Sequence, residues 1–318
     1  MKNKNRERKP QVVAIILNWN GLSIKHEGKP ILELCLRSLA KVNYENLKIL
    51  VADAESSDSS VDFINESFPF INTIKVKNSG WAYGNNVAIR YSIKKFKGAK
   101  YFLLLNNDLI FKEKEWLDKL VRVAERDDRI GIVGCRLLYP DGSVQHGGTH
   151  LTLFGLPDNY KTNRKSGFVW SVIGACMLVK KEVFKTIGLF DEIYLPFLEE
   201  EVDFAERARK TGYKIFYVGN TKIVHLEGKS LYKSNAIKSE WSLLDRDFVF
   251  VRNNFIFLLR WHKWRLPLNF LFRLVVPFFS DFISTTLHRT PIKYHFSIVV
   301  PALKEALRMY KTYKIPKV

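Results

Sequence analysis

The sequence predicts an α/β protein: a mixed, mostly parallel sheet with helices flanking it. Three observations predict this. The first 126 residues alternate strand-like and helix-like runs four times, half the pattern of a doubly wound sheet. The strand-like runs are apolar throughout, as strands covered on both faces are. They also stop abruptly at polar turns, and in open α/β sheets ligands collect outside those strand ends.

Val12–Leu17 (VVAIIL) is the opening strand, closed by NWNG at Asn18 to Gly21. Ile31, Leu32, Cys35, Leu36 and Leu39 recur at helical spacing. Leu47–Ala52 is a second strand and ends in DAESSDSS. There Asp58 suits a helix cap, and Asp53, nearer the strand, can accept from ribose hydroxyls or a base N–H. Ile71–Val76 is a third strand; NSGWAYGNN then opens a helix striped by Ile89, Ile93 and Phe96. Its glycines and asparagines allow unusual backbone angles and close approach to a ligand. It is neither a GxGxxG nor a Walker motif. The fourth strand, Tyr101–Leu105, stops at Asn106, Asn107 and Asp108. A carboxylate beside two amides at a strand end is a candidate metal ligand. Trp116, Leu117, Leu120, Val121 and Ala124 give the next helix its apolar face.

The regularity then weakens. Ile130–Leu138 reads as a strand, YPDGS as a turn, and QHGGTH leads into a loop reaching Gly167. Another strand lies within Phe168–Lys180, and a short helix runs from Val183 to Ile187. Glu199, Glu200, Glu201 and Asp203 then open a helix. Carboxylates suit a helix N-terminus; a general base beside a metal–phosphate site is the functional alternative. Lys214–Val218 is a further strand, and KIVHLEGKS carries His225, either a satisfied buried histidine or the imidazole completing a divalent site with Asp108.

The chain has 318 residues, 47 % of them hydrophobic, and a net charge of +19, so the expected partner is anionic: a nucleotide, a nucleic acid or an acidic membrane surface. Cys35, Cys135 and Cys176 form no CxxC pair and read as reduced core residues. MKNKNRERKP is a flexible basic tail, and no signal-peptide cleavage pattern follows it.

The ordered motifs VAIILNWN, LRSL, VADAESSDSS, NSGWAYGNN, LLLNND, GACMLVKKEVF, GLFDE, EEEVDFAERARKTGYKI and HLEGKS resemble the inverting family 2 glycosyltransferases of the GT-A fold, especially their rhamnosyltransferase-like and galactofuranosyltransferase-like members. The resemblance runs from about Val12 to Ser230. It implies a Rossmann-like GT-A domain over 11–230, with a nucleotide-sugar half at 11–126 and an acceptor and catalytic half at 127–230. It implies Asp53 as a base or ribose contact, and Asn78, Gly80 and Asn86 as the donor loop, with Asn18 and Asn106 beside them. Asp108 would hold Mg²⁺ or Mn²⁺ on the diphosphate, and His225 would contact metal or diphosphate. Glu201 stands at the position of the catalytic aspartate in the family's E-D-x-D motif, with Glu200 before it and Asp203 last; an inward turn of Glu200 would make that residue the base. Three departures stand out: Ala54 where Asn is common, Asn106 for the first Asp of the DxD form, and Glu for Asp at 201.

The implied reaction is direct displacement from a nucleoside diphosphate sugar, dTDP-rhamnose or a UDP-hexose, by a hydroxyl of a glycan or polyprenyl-diphosphate-linked acceptor in cell-surface polysaccharide synthesis. From Leu231 the chain is dense in Phe, Leu, Trp and Arg, and its charges and prolines argue against a transmembrane helix. Residues 231–318 are therefore expected to be helical and to lie on an anionic membrane surface or to form a homo-oligomer contact. A peripheral place at the cytoplasmic face of the cell membrane follows. Two other readings compete. A nucleic-acid-binding module needs an aromatic platform along a basic groove, and none is found in the first two thirds. An inactive scaffold on the same fold is given room by Glu201.

Overall fold

The computed structural model describes residues 8–226, 243–283 and 292–313. Most of the basic tail, the end of the HLEGKS motif (227–230) and the start of the C-terminal region (231–242) lie outside the described residues.

The strands are β1 (Gln11–Asn18), β2 (Lys25–His26), β3 (Lys29–Pro30), β4 (Leu47–Ala54), β5 (Asn72–Val76), β6 (Ala99–Asn106), β7 (Leu109–Phe111), β8 (Ile130–Leu138), β9 (Val144–His146), β10 (Thr149–Leu151), β11 (Pro157–Asn159), β12 (Gly167–Phe168), β13 (Cys176–Lys180) and β14 (Lys214–His225). The helices are α1 (Ile31–Leu39), α2 (Ser60–Ser67), α3 (Trp81–Lys95), α4 (Trp116–Ala124), α5 (Lys181–Ile187), α6 (Glu200–Lys210), α7 (Leu243–Trp261), α8 (Leu266–Ile283) and α9 (Ile292–Thr312). The main sheet runs β12-β14-β8-β13-β6-β1-β4-β5, with β7 added to β14 and β9 to β8. The expected mostly parallel sheet is present: β6, β1, β4 and β5 are parallel neighbours, as are β8 and β14. Antiparallel β13 separates the two groups.

The apolar runs are explained by burial on both faces. Val12, Ala14 and Ile16 face one core with α1 and α4, whereas Val13 and Ile15 face another with α3, α5 and α6. All five are fully buried. A strand covered on both sides has no position to give to a polar residue until it leaves the sheet, so its first polar residues mark the sheet's end.

Two elements differ from expectation. β14 does not stop at Val218; it shifts register on β8 between Val218 and Ile223 and continues to His225. The Gly219–Asn220 pair, which reads as a strand end, sits in that irregularity. The stretch up to Gly167 is also not all loop, because β10 and β11 pair antiparallel within it.

The C-terminal helices pack on the sheet domain. Phe255, Ile256, Phe257 and Leu258 of α7 and Ile298, Val299 and Ala302 of α9 share a core with Ile193, Tyr194 and Val202. Among the described residues, no helix is long and apolar enough to cross a membrane.

Candidate active site

β6 ends at Asn106, the chain turns through Asn107 and Asp108, and β7 returns to pair with the far end of β14. His225 is the register partner of Leu109, and Leu226 N donates to Asp108 O at 3.0 Å. Residues 117 positions apart in the chain thus become neighbours: His225 Nε2 lies 3.2 Å from Asp108 Oδ1. Both side chains are buried. Gln145, from β9, places Oε1 2.7 Å from His225 Nδ1. Asn106 Nδ2 approaches Nε2 at 3.4 Å.

A second set of contacts runs from this turn toward β4. Asn107 Nδ2 donates to Asn18 Oδ1 at 2.8 Å, and Asn18 Nδ2 donates to Asp53 Oδ2 at 2.9 Å. Asp53 also accepts from Ser56 N at 3.0 Å and Ser56 Oγ at 2.7 Å. Asn18, Asn107 and Asp53 are all buried. Three adjacent parallel strands, β4, β1 and β6, therefore end in one connected polar row, with Asp53 at one end and Asp108 at the other. Gly21 allows the close approach: a Cβ there would lie 2.4 Å from Asn18 Oδ1. Asp58 is not the cap of α2, which is Ser59; it lies one residue earlier, accepts from Ser60 N, and accepts from Leu22 N and Ser23 N, which ties the loops after β1 and β4 together.

The loop before α3 takes a different role. Asn78 is exposed, and its N–H donates to Glu55 at 3.1 Å. Gly80 has φ 101° and is pressed on the chain ahead of α6: its Cβ position is 2.4 Å from Pro196 O. Trp81 N donates to that same carbonyl at 3.1 Å. Asn86 is fully buried and faces the GLFDE segment. It donates to Phe190 O and Glu192 Oε1 and accepts from Phe190 N. Both ends of that amide are engaged in fastening the segment to α3.

The four acidic residues divide by environment. Asp203 is fully buried and accepts from Tyr194 Oη at 3.1 Å, Arg207 Nε at 2.8 Å, Trp261 Nε1 at 2.8 Å and Arg260 Nη1 at 3.4 Å. It joins α6 to α7. Glu199 and Glu200 are buried, each with one carboxylate oxygen that no donor among the described residues reaches. Burial, then the neighbouring Glu201, pushes the Glu199 carboxyl up to about 8; Arg273 and Asn254 pull the other way. Glu200 is also raised well above the ordinary glutamate value, by burial first and then by Glu201. Glu201 is raised by burial against the pull of a backbone hydrogen bond, yet part of its surface remains open. Consecutive helical residues point about 100° apart, so three neighbouring glutamates cannot share one surroundings.

The model of the glycosyl transferase family 2 matches residues 22–188, just over half of the chain. The chain belongs to glycosyl transferase family 2. Its sheet and flanking helices form the GT-A fold of these inverting enzymes. Among relatives, the O-antigen biosynthesis protein RfbC of Myxococcus xanthus is 28 % identical over 206 residues, which span 60 % of this chain and 16 % of RfbC. The N-acetylglucosaminyl-diphospho-decaprenol L-rhamnosyltransferase of Mycobacterium tuberculosis is 25 % identical over 287 residues, 79 % of this chain and 88 % of that enzyme. The chain thus spans about a sixth of the first relative and nearly all of the second. Among solved structures, GalNAc-T7 with UDP, GalNAc and Mn²⁺ superposes with a TM-score of 0.63 at 13 % identity, covering 98 % of this chain and 59 % of that one.

The family 2 site has a donor set that fits a divalent cation. Asp108 Oδ1 is buried and accepts no hydrogen bond among the described residues, although His225 Nε2 is 3.2 Å away. An amide oxygen only accepts, so Nδ1 carries a proton toward Gln145, and in the neutral form of the ring Nε2 presents its lone pair to Asp108 Oδ1. Asp108 Oδ1 and that nitrogen, 3.2 Å apart, would be the two groups to hold a divalent cation. Among the described residues, no group of three or more His, Cys, Asp or Glu surrounds this point, so the protein would supply two ligands to such a cation. That suits a cation also held by substrate phosphates.

Sequence reasoning missed Gln145 and Asn107. Gln145 stands in the QHGGTH motif, but only the pairing of β9 with β8 shows which way it faces. Its neighbour His146 is fully buried, and burial pushes its pKa down to about 4. A cavity of about 430 Å³ bordered by Ala99, Lys100, Asp128, Lys180 and Tyr213 lies at the opposite end of the strands from the row of polar residues.

Proposed function

We propose that this chain transfers a sugar, with inversion, from a nucleoside diphosphate sugar to a hydroxyl of a glycan or polyprenyl-diphosphate-linked acceptor. The observation that carries the reading is the polar row across β4, β1 and β6, which ends in the Asp108–His225 pair. The nucleoside lies toward Asp53, which orders Asn18 and Ser56 and keeps Oδ1 with one hydrogen bond. Asp108 and His225 would hold Mg²⁺ or Mn²⁺, which would supply neutralisation of the negative charge growing on the leaving diphosphate. The similarity to a structure containing UDP and Mn²⁺ supports this assignment.

Glu201 is the proposed base. Of the three consecutive glutamates it alone has part of its surface open, and its raised pKa makes it a stronger proton acceptor once ionised. It removes the acceptor hydroxyl's proton as that oxygen attacks the anomeric carbon. The bond to the diphosphate breaks on the opposite side, so no protein nucleophile takes part. Glu200 is the alternative base. Asp203, held by four donors, acts through the placement of α6.

The relative from M. tuberculosis supports dTDP-rhamnose as the first donor to assay, with UDP-hexoses after it. A panel of nucleotide sugars with Mn²⁺, read as nucleoside diphosphate release and product formation, tests the proposal. Transfer from one donor is expected, with a loss of at least 100-fold in Glu201→Gln. Absence of transfer from every donor, or full activity in Asp108→Ala, would sink it.

The acceptor's lipid would be met at an anionic membrane surface, which places the enzyme peripherally on the cytoplasmic face. Leu153, Trp264 and Leu271 are 66 %, 61 % and 55 % exposed. Phe154 stacks on Phe272, and Arg265 reaches Thr152 O, so the hydrophobic groups lie together beside basic ones, as an interfacial segment requires. Co-sedimentation with phosphatidylglycerol vesicles checks this. Trp264→Ser with Leu271→Ser is expected to weaken binding at least tenfold; unchanged binding would remove the membrane from the account.

A further inference from the structure

The loop that delivers the glutamates to α6 is held from outside the sheet. Asn253 of α7 is fully buried. Its Nδ2 donates to the carbonyls of Tyr194 at 2.7 Å, Phe197 at 2.9 Å and Leu198 at 3.0 Å. Two N–H groups thus serve three acceptors, all in one turn. The Asn253 Oδ1 is itself held by Arg252, at 3.0 Å from Nε and 2.8 Å from Nη2. The same guanidinium donates to Leu195 O.

This turn needs holding. Leu198 and Glu199 have φ of 76° and 75°, a left-handed conformation that costs L-residues free energy and is rare for two in succession. Glu199 is the N-cap of α6 and makes no side-chain cap bond. Nothing in these residue types favours the conformation, so it persists because its surroundings impose it. On its other side the turn meets the start of α3, where Trp81 N donates to Pro196 O.

We propose that Asn253 is a positioning residue for sugar transfer: its amide fixes the Leu198–Glu199 turn and so sets the direction in which the first turn of α6 presents Glu201. The inference rests on the reading of Glu201 as the base. It gives the C-terminal helices a part in the chemistry, separate from any part in membrane attachment. An ordinary buried asparagine would only hold the fold together, and the experiment separates the two.

The full chain carrying Asn253→Leu is assayed with the donor that the panel identifies, in detergent solution without vesicles. UDP and dTDP binding with Mn²⁺ is measured by calorimetry. The expected result is a kcat at least 30-fold lower, a donor KM within threefold of the parent and nucleotide affinity within twofold. In a Glu201→Asp background, where the base is already displaced, Asn253→Leu is expected to cost less than a further threefold. Hydrogen exchange should rise over 194–201 and stay unchanged over 100–108. Asn253→Ser replaces the leucine variant if that fails to fold. A kcat within threefold of the parent, losses that multiply in the double variant, or nucleotide affinity falling in step with kcat would each overturn the proposal. If Glu201→Gln keeps parental turnover, the base assignment falls and this inference with it. If Glu201→Gln loses turnover and Asn253→Leu does not, this inference alone falls.

Discussion

Glu199 carries a proton that an exposed glutamate would have lost, because its site removes water without supplying enough positive charge. The sign of its effect on stability follows. Its folded pKa, about 8, lies above the ordinary 4.5, so between these values the folded state holds a proton that the unfolded state does not. Stability therefore falls as pH rises through this window, with a slope of up to ~1.4 kcal/mol per pH unit from this group. Glu199→Gln should flatten the fall in Tm between pH 5 and pH 8; a parallel pH profile would show that Glu199 ionises freely. Gln145 offers a second single-residue prediction. Gln145→Leu removes one acceptor facing His225 Nδ1 and weakens the preference for the tautomer that carries its proton there. Mn²⁺ affinity, read by electron paramagnetic resonance with UDP present, should weaken by about 10- to 100-fold, the usual effect of removing such a partner. Affinity unchanged from the parent would mean that the ring is oriented by other contacts. Asp108 was legible as a candidate because a carboxylate where an apolar run stops suffices for that, and His225 as an imidazole following the apolar pair of KIVHLEGKS. Gln145 was not, since its role depends on a hydrogen bond between residues 80 positions apart.

At the scale of elements, the contact between the start of α3 and the chain before α6 joins the expected donor loop to the proposed base. Gly80 makes it possible, since its φ of 101° and its distance to Pro196 O exclude any side chain. Gly80→Ala should destabilise the protein by about 1–3 kcal/mol and weaken UDP binding in the same variant. Unfolding in urea and nucleotide calorimetry check the two parts, and a loss of stability with full nucleotide affinity would separate this loop from the donor. The first four strands and their helices were legible because burial on both faces leaves an unbroken apolar run. The second half was less so. β14 carries a register shift that resembles a strand end, and β10 and β11 are three residues each, too short for a period of two to emerge. The helix at Glu200 was expected from its acidic start, but the strained turn ahead of it leaves no trace in residue type: neither Leu198 nor Glu199 is a residue that left-handed positions favour.

For the whole molecule, the shared core of α7, α9 and the Ile193–Val202 region makes the C-terminal helices part of the folded unit. A chain cut at residue 242 would expose Ile193, Tyr194 and Val202, all now buried, and would lose the donors from Arg260 and Trp261 to Asp203. It is expected to melt at least 10 °C lower than the full chain or to aggregate; a cut protein with the parental Tm would mean that the sheet domain folds alone. The aromatic and basic composition of this region predicted helices at an interface, but composition does not say which face of a helix turns inward, and much of the aromatic content went into this core. Antiparallel β13 has a separate consequence for how such a protein diversifies. Its reversed direction starts it beside Leu105, at the reactive edge, and ends it beside Tyr101. The segment from Tyr139 to Ala175 therefore departs from that edge and comes back to it, touching the row that runs from Asp53 to Asp108 through the contact of Gln145 with His225. Lengthening that excursion between Leu151 and Gly167, away from Gln145, can reshape what the enzyme accepts while leaving the contact that holds His225 in place.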